Sequence, residues 1–410
     1  MGNYDYAIIG GGPAGYTTAM LYAKKGKSVV LFEKDKLGGT CLNKGCIPTK
    51  SLLHSSQLYA DLRNSVNSGI IAENISYDFA KITEKKNGIV EKIRKSLELA
   101  VKNSGVQIVY ADACVKDKNT VIADNIEYKV SDIILATGSK PREIKGLEFD
   151  RDFVISSDDI LELKKLPKSI LIVGSGAIGT EWTRILSNFD VEVSVVEMAE
   201  HLIPAADIEV SKRIERIFKQ KKIPFYLNDC IEKIENKTVT LKSGKQLGPE
   251  KILVATGRVP VCPTCECKST LGDACGEIQL AHFAIHQAKA EVLGIPFDKM
   301  LVPSIIYGEP EIAWVGMREQ DMNDNCKKTM LPITALGKAW CDDSTDGFIK
   351  IITENNMIKG AHIVSKEASS LIHILLTAIQ NNISTEGLKS MCFAHPTYAE
   401  GIYDMLMNMQ

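Results

Sequence analysis

What this sequence has little of narrows the field first. Its 410 residues carry Lys+Arg 49 against Asp+Glu 51, a formal net charge of -2, so there is no basic excess to meet the phosphates of a nucleic acid. No run of apolar residues reaches the length needed to span a bilayer. The opening Met1-Gly2-Asn3-Tyr4-Asp5 leads into an apolar strand with no basic leader or signal-like segment. Where myristoylation expects Ser or Thr after Met1-Gly2, the chain has Tyr6. These absences point to a soluble, cytoplasmic protein that meets neither membrane nor nucleic acid. In that compartment most of the 11 cysteines should stay reduced, so a disulfide here would be catalytic rather than structural.

The length exceeds what one ordinary core organises, and 45% hydrophobic with 24% charged residues describes a globular chain of more than one domain. Its most telling stretch is Gly38-Gly39-Thr40-Cys41-Leu42-Asn43-Lys44-Gly45-Cys46-Ile47-Pro48-Thr49-Lys50. Two cysteines stand just before an apolar, helix-like run, and the glycines let the backbone approach a flat cofactor closely. The spacing allows one helical turn or a tight loop between the sulfurs. A thiolate at a helix N-terminus is favoured electrostatically, so at least one of Cys41 and Cys46 should have a lowered pKa. Two buried free thiols or half of a zinc site are the plainer readings, but a zinc site needs close CxxC or CxH partners and none follows nearby.

Ahead of that stretch, Tyr6-Ala7-Ile8-Ile9 reads as a buried strand running into Gly10-Gly11-Gly12-Pro13-Ala14-Gly15 and then a helix through Ala23. This is GxGxxG in its required setting of strand, turn and helix. Gly10 permits the turn, Gly12 lets a pyrophosphate reach the helix N-terminus, and Gly15 lets helix and strand pack closely. A second strand, Ser28 to Phe32, ends at Glu33, placed to accept hydrogen bonds from a ribose. The same logic returns after Ile170-Leu171-Ile172-Val173, with Gly174, Gly176 and Gly179, a helix through Leu186, and a strand Val191 to Val196 ending in Glu197. Two such units imply two dinucleotides. A carboxylate at Glu197 accepts from both ribose hydroxyls and repels a 2'-phosphate, which favours NAD over NADP. Glu181, on the first turn of the second helix, either meets the helix dipole or faces the chemistry. Strands also exit through Thr137-Gly138 and Thr256-Gly257, a geometry that lets backbone pass over a bound cofactor.

Asp78 is placed to N-cap a long amphipathic helix to Asn103, with Ile82, Ile89, Val90, Ile93, Leu97 and Leu99 as its apolar positions. Further on, Cys262, Cys265 and Cys267 crowd one short stretch, with Cys275 close behind. CxxCxC can bind a metal, yet only Cys275 or His282 would complete a set, and the alternative is an irregular loop. From Val302 the pattern of strands and a helix, Ser369 to Gln380, reads as a separate α+β domain. Near its end His395-Pro396, with Glu400 beyond, fits a general base whose orientation a carboxylate fixes. Taken alone, His395 reads as an ordinary surface or core histidine.

Together, the first glycine motif with Glu33, the cysteine stretch, the second glycine motif with Glu181 and Glu197, and His395-Pro396-Thr397 with Glu400 resemble the pyridine nucleotide-disulphide oxidoreductases. The resemblance covers nearly the whole chain and is nearest to the dihydrolipoamide dehydrogenase branch. It implies an α/β fold of two Rossmann-like dinucleotide-binding domains, for FAD and NAD, plus a C-terminal α+β dimerisation domain. Its divisions would be 1-147 for FAD, 148-257 for NAD, 258-302 for a shortened return to the FAD domain and 303-410 for dimerisation.

The resemblance further implies that Cys46 is the thiolate against the flavin and Cys41 the thiol that meets the lipoyl sulfur. Lys50 would sit near the reactive flavin edge, paired with Glu181. His395 and Glu400 would act on the other subunit's disulfide, making a homodimer obligatory. Thr40, Lys50, Thr137, Gly138, Gly257 and Asp273 would contact the cofactors, Asp273 at a ribityl or phosphate group. The implied activity is oxidation of dihydrolipoamide on a lipoyl-bearing protein of a 2-oxoacid dehydrogenase or glycine-cleavage complex, with NAD as acceptor. Glutathione-type reductases place basic residues where this chain has Glu197.

One departure stands out. Family members insert a longer segment, strands included, between Gly-Arg-x-Pro, here Gly257 to Pro260, and the Gly-Asp that this chain reaches at once in Gly272-Asp273. Either the trimmed domain still closes over FAD, or the flavin site is incomplete and the chain is an impaired relative kept for binding or dimerisation. Lost strands would leave a sheet edge exposed.

Overall fold

Short β-branched runs that end in glycine build the first sheet of the computed structural model, which describes residues 3–263, 265–296 and 298–409. Met1 and Gly2, weighed above for acylation, lie outside them. The chain opens with β1 (Asn3–Ile9), α1 (Pro13–Lys24) and β2 (Val29–Glu33), followed by α2 (Gly39–Lys44), α3 (Cys46–Asn64) and α4 (Phe79–Asn103). Next come β3 (Gln107–Tyr110), β4 (Ala113–Asp117), β5 (Thr120–Ala123) and β6 (Ile126–Leu135), giving the order β3-β2-β1-β6-β5-β4. β1 is parallel to both β2 and β6. Residues buried on both faces, such as Ile8 and Val30, explain why these strands read as continuous apolar runs.

Asp78 does cap α4, its carboxylate accepting from the N–H groups of Ala80 and Lys81. The expected apolar stripe is only partly right: Ile93 and Leu99 are exposed, and the buried positions are Lys86, Val90 and Val101. Lys86 is inward because its ammonium has a partner there, the Leu161 carbonyl at 2.6 Å.

The second unit begins with β7 (Ser139–Pro141), β8 (Val154–Ile155), β9 (Ser169–Val173), α5 (Ala177–Asn188), β10 (Glu192–Val196), α6 (Ile208–Gln220) and β11 (Phe225–Tyr226). After them come β12 (Ile231–Glu235), β13 (Thr238–Leu241), β14 (Gln246–Leu247) and β15 (Lys251–Val254). A five-stranded parallel sheet, β11-β10-β9-β15-β8, carries this unit, with β12-β13-β14 as a separate antiparallel sheet. β16 (Arg258–Pro260) pairs antiparallel with β7, and the chain then returns to the first sheet.

That return is short. β17 (Ser269–Thr270) runs parallel to Ile134 and Leu135 of β6, while β5 pairs only with Ile126 to Lys129. Two residues therefore cover the far end of the β6 edge, with the Lys268 N–H donating to the Ile133 carbonyl at 2.8 Å just before them. From there α7 (Ala281–Leu293) packs on α1.

The last unit contains β18 (Ser304–Ile306), β19 (Glu311–Gly316), β20 (Cys326–Pro332), α8 (Gly337–Cys341), β21 (Phe348–Glu354) and β22 (Met357–Ser365). It ends with α9 (Ala368–Gln380), α10 (Thr385–Lys389) and α11 (Glu400–Met407). Its antiparallel sheet has the order β18-β19-β22-β21-β20. One apolar cluster links all three units, taking in Leu52 and Leu53 of α3, Trp182 and Phe189 beside α5, and Ile306, Phe348 and Val364 of the last sheet. Among the described residues no helix is long and apolar enough to cross a membrane.

Candidate active site

Each glycine motif forms a backbone cradle for the same physical reason. A Cβ on Gly15 would lie 1.8 Å from the Gly10 carbonyl oxygen, and one on Gly179 would lie 2.0 Å from that of Gly174, so only glycine lets helix and strand approach this closely. Gly12 and Gly176 then start α1 and α5 with no side-chain cap and no acidic residue in the first turn. Their leading N–H groups are left for an anion. Around Gly176 a Cβ would meet nothing within 4 Å, whereas Gly12 faces Gly39 of the cysteine stretch.

The acidic residues that end β2 and β10 are held alike. Glu33 accepts from the N–H of Gly11 and of Asp35, each at 2.8 Å. Glu197 accepts from the N–H and hydroxyl of Ser175, each at 2.8 Å, and from the N–H of Ala199 at 3.0 Å. Both carboxylates are thereby fixed at the mouths of their glycine turns.

Cys41 lies within α2, and a break at Gly45 makes Cys46 the first residue of α3. The spacing is thus a last stretch of helix from Cys41 to Lys44 and a break at Gly45. Asn43 pins the loop, donating to the carbonyls of Lys36, Leu37 and Gly39 at 3.2, 3.1 and 3.0 Å. Both cysteines are free thiols, half-buried and hydrogen-bonded to each other. The Cys41 hydrogen bond and the Lys50 ammonium bring Cys46 down to about 7 against burial and the Glu181 carboxylate. Cys41 moves well up, because its proton is shared with Cys46 and its surroundings are dry. The two thiols are therefore shifted in opposite directions, Cys46 down and Cys41 up.

Lys50, one helical turn beyond Cys46, donates to both Glu181 oxygens at 2.9 and 2.8 Å. Glu181 therefore lies beyond the first turn of α5 and turns its carboxylate toward Lys50. Tyr307 joins them, its ring 4.6 Å from the Lys50 nitrogen. Sequence reading missed Tyr307, and also Tyr16 of α1, whose pKa is raised by burial and by the nearby charge of Cys41 and Cys46. No motif marks either residue. Ser139 and Arg258 were likewise missed as site residues, although both adjoin a Thr-Gly. Arg258 donates through Nε to the Ser139 hydroxyl and through Nη2 to its carbonyl, both at 2.8 Å, with Thr40 Oγ1 at 3.5 Å. Ser139 in turn donates to Asp273 at 2.6 Å. Thr137 bonds the Val261 carbonyl. The trimmed return thus still delivers Asp273 beside the Thr137-Gly138 exit.

His395 stands apart. Its Nδ1 meets Glu400 at 2.8 Å, and Glu400 also accepts from the Thr397 N–H at 2.8 Å, which leaves Nε2 outward on a side chain 81% exposed. Among the described residues of one chain it makes no hydrogen bond or ion pair with Cys41 or Cys46. The Cys262 to Cys275 stretch is largely irregular, with Cys265 and Cys267 packed on the first sheet. No group of three or more metal-ligating side chains is found among the described residues.

Two cradles with uncapped helix starts, and an asymmetric dithiol packed against the first of them, define a flavoprotein disulfide oxidoreductase. The chain belongs to the pyridine nucleotide-disulphide oxidoreductases: that family's model matches residues 4–284, and the model of the family's dimerisation domain matches residues 302–406. The family and its relatives use FAD and NAD(H). The chain is 32% identical to a dihydrolipoyl dehydrogenase of Bacillus subtilis over 456 aligned positions, covering 97% of this chain and 96% of that one. It is 31% identical to dihydrolipoyl dehydrogenase 2 of Haloarcula marismortui, with 98% and 95% covered. Among solved structures the fold matches LpdA of Mycobacterium tuberculosis with a TM-score of 0.90 at 21% identity, covering 98% and 99% of the two chains. It also matches the HOCl-induced flavoprotein disulfide reductase RclA of Escherichia coli with a TM-score of 0.88 at 24% identity, covering 99% and 100%.

Proposed function

We propose that the protein is a cytoplasmic, homodimeric dihydrolipoamide dehydrogenase serving a lipoyl-bearing protein of a 2-oxoacid dehydrogenase or glycine-cleavage complex. The observation that carries this is the dithiol, with Cys46 at the start of α3, Cys41 in the preceding α2, and the Lys50–Glu181 pair one helical turn on. In the oxidised enzyme one lipoyl thiol would give its proton to His395 of the partner subunit and attack the Cys41 sulfur, breaking the Cys41–Cys46 bond and releasing Cys46 as the thiolate. The second lipoyl sulfur would then displace Cys41, leaving lipoamide oxidised and the cysteine pair reduced by two electrons. FAD and NAD, when bound, supply the onward route for that electron pair and the final hydride acceptor. Gly10, Gly12, Gly15, Glu33, Thr40 and Asp273 would hold the first, and Gly174, Gly176, Gly179, Glu197 and Gly257 the second. Lys50 with Glu181 would keep a fixed cation beside Cys46.

An outward His395 supports a dimer, as does an unpartnered apolar row on α3 and just beyond it, Leu58, Leu62, Val66 and Ile70, all exposed in the single chain. Eleven free cysteines suit a reducing compartment. Glu197, followed by Met198, Ala199 and Glu200 with no Lys or Arg among them, supports NAD as the acceptor. Replacing Glu197 with Ala should raise the KM for NADH roughly ten- to a hundredfold, through loss of charged hydrogen bonds worth about 1.5–3 kcal/mol, with kcat unchanged. An unchanged KM would remove Glu197 from the ribose site.

The brevity of the return through β17 favours a second reading, an impaired relative that binds without turning over. One spectrum separates the two. Purified protein should be yellow and should bleach on anaerobic addition of dihydrolipoamide; colourless protein that cannot be loaded with FAD would sink the first reading and support the second.

A further inference from the structure

On its buried face α5 presents two charged side chains one turn apart, Glu181 and Arg184, and only Glu181 has a part in the chemistry above. Arg184 is 4% exposed. Its Nη1 donates to the Tyr307 carbonyl at 3.0 Å, while the Tyr307 N–H donates to Glu181 at 3.1 Å. The two α5 side chains therefore grip both polar backbone atoms of the one residue whose ring stands over Lys50. Room for the guanidinium comes from Gly308, at φ +142, where a Cβ would lie 2.4 Å from both Cδ and Nη1 of Arg184.

The other arm of the fork is idle. Nη2 is buried and has no hydrogen-bond partner. Burial brings the guanidinium down to about 10, while Glu181, Glu309 and Glu311 pull the other way. Glu309 and Glu311 are otherwise engaged, accepting from the Ser344 hydroxyl at 2.5 Å and the Ser369 N–H at 2.8 Å. A cation held at such a desolvation cost is poor support for stability alone.

We propose that Arg184 is a positioning residue for the redox site: by clasping the Tyr307 carbonyl it fixes the Tyr307 ring and the Glu181 carboxylate around Lys50, and so keeps the Lys50 ammonium aimed at Cys46. This rests on the reading of Cys46 as the thiolate. The charged and titratable groups around Cys46 are Cys41 from α2, Lys50 from α3, Glu181 from α5, Tyr16 from α1 and Tyr307 from the last unit; around Arg184 they are Glu181, Glu309, Glu311 and Lys221. Removing Arg184 frees Tyr307 and Glu181, Lys50 is no longer held to one position, and Cys46 becomes less acidic.

The test is the pH profile of Cys46 alkylation by iodoacetamide in a Cys41→Ser background, mapped by peptide mass spectrometry so that the other cysteines do not interfere. R184M should move the midpoint up by about half a unit to one unit, within what a displaced neighbouring charge produces. The long-wavelength thiolate absorbance of FAD-loaded protein should titrate with the same shift. An unchanged midpoint in folded R184M would overturn the proposal. If R184M does not fold, R184K keeps the cation but loses the planar fork, and it should show a smaller rise; a midpoint equal to that of the parent would likewise overturn it. An ordinary thiol midpoint in the parent itself would instead refute the thiolate reading, which keeps the two failures distinct.

Discussion

Cys46→Ser protein is expected to show no lipoamide turnover above background, a loss of at least roughly a thousandfold, since removing the group that does the covalent work is among the most damaging single changes to an enzyme. A serine hydroxyl cannot form or release the disulfide, and it does not ionise near neutrality even with the α3 N-terminus and Lys50 beside it. NADH-driven reduction of an artificial dye should survive in the same protein, because that route needs the two nucleotide cradles and neither cysteine. Cys41→Ser should fail in lipoamide turnover to the same degree yet keep an acidic Cys46, since the introduced hydroxyl can still donate a hydrogen bond to the thiolate. The assay is paired: anaerobic dihydrolipoamide oxidation followed at NADH absorbance, and dye reduction on the same preparation. Lipoamide activity above about one part in a hundred in Cys46→Ser protein would remove that residue from the mechanism.

Both glycine cradles were legible in the sequence because their constraint is absolute: no other residue places a helix this near the preceding strand, so the letters report the geometry. Glu33 and Glu197 were legible for a related reason, each being the first polar residue after a buried strand. The cysteine stretch showed its purpose through Gly45, which breaks α2 from α3 and leaves Cys46 at a helix start. Other residues were hidden because their roles depend on contacts far along the chain. Tyr307 and Arg184 meet across more than a hundred residues, and nothing local marks either of them. Lys350 was hidden for the same reason, since its partner Asp207 lies 143 residues away at the start of α6. Leu99 erred in the other direction, since its position fits the helical period while the face it lies on is left uncovered. The pairing of the shortened return was not legible at all: β17 adds two residues beside Ile134 and Leu135, while β5 pairs with Ile126 to Lys129.

Lys350→Met is expected to destabilise the fold by about 3–5 kcal/mol, the usual result of removing one partner from a buried ion pair. Lys350 is 1% exposed, and its ammonium donates to Asp207 at 2.7 Å and also bonds Glu319. Asp207, fully buried, is committed three ways: it caps α6 through the Glu209 N–H at 2.9 Å, accepts from the Glu319 N–H at 2.7 Å, and lies 3.7 Å from His362. His362 is a weaker source of positive charge than Lys350, because burial lowers its pKa and its Nε2 already meets the Met317 carbonyl at 2.8 Å. Losing Lys350 would strand the Asp207 charge at the seam between α6 and the last sheet. For a chain of this size the change should read as a fall in Tm of roughly 5 °C. Adding Asp207→Asn to Lys350→Met should recover part of it, since the stranded charge then disappears while one capping bond remains. The pH dependence has a definite sign. Burial alone would raise the Asp207 pKa, but His362, Lys350 and the Glu319 N–H together hold it below the ordinary carboxylate value. Its contribution is therefore present above that value and lost as pH falls through the folded-state pKa. The gap in Tm between parent and Lys350→Met should accordingly be full near neutrality and close in acid; a gap that persists unchanged into acid would show that Lys350 acts through packing and not through its charge on Asp207.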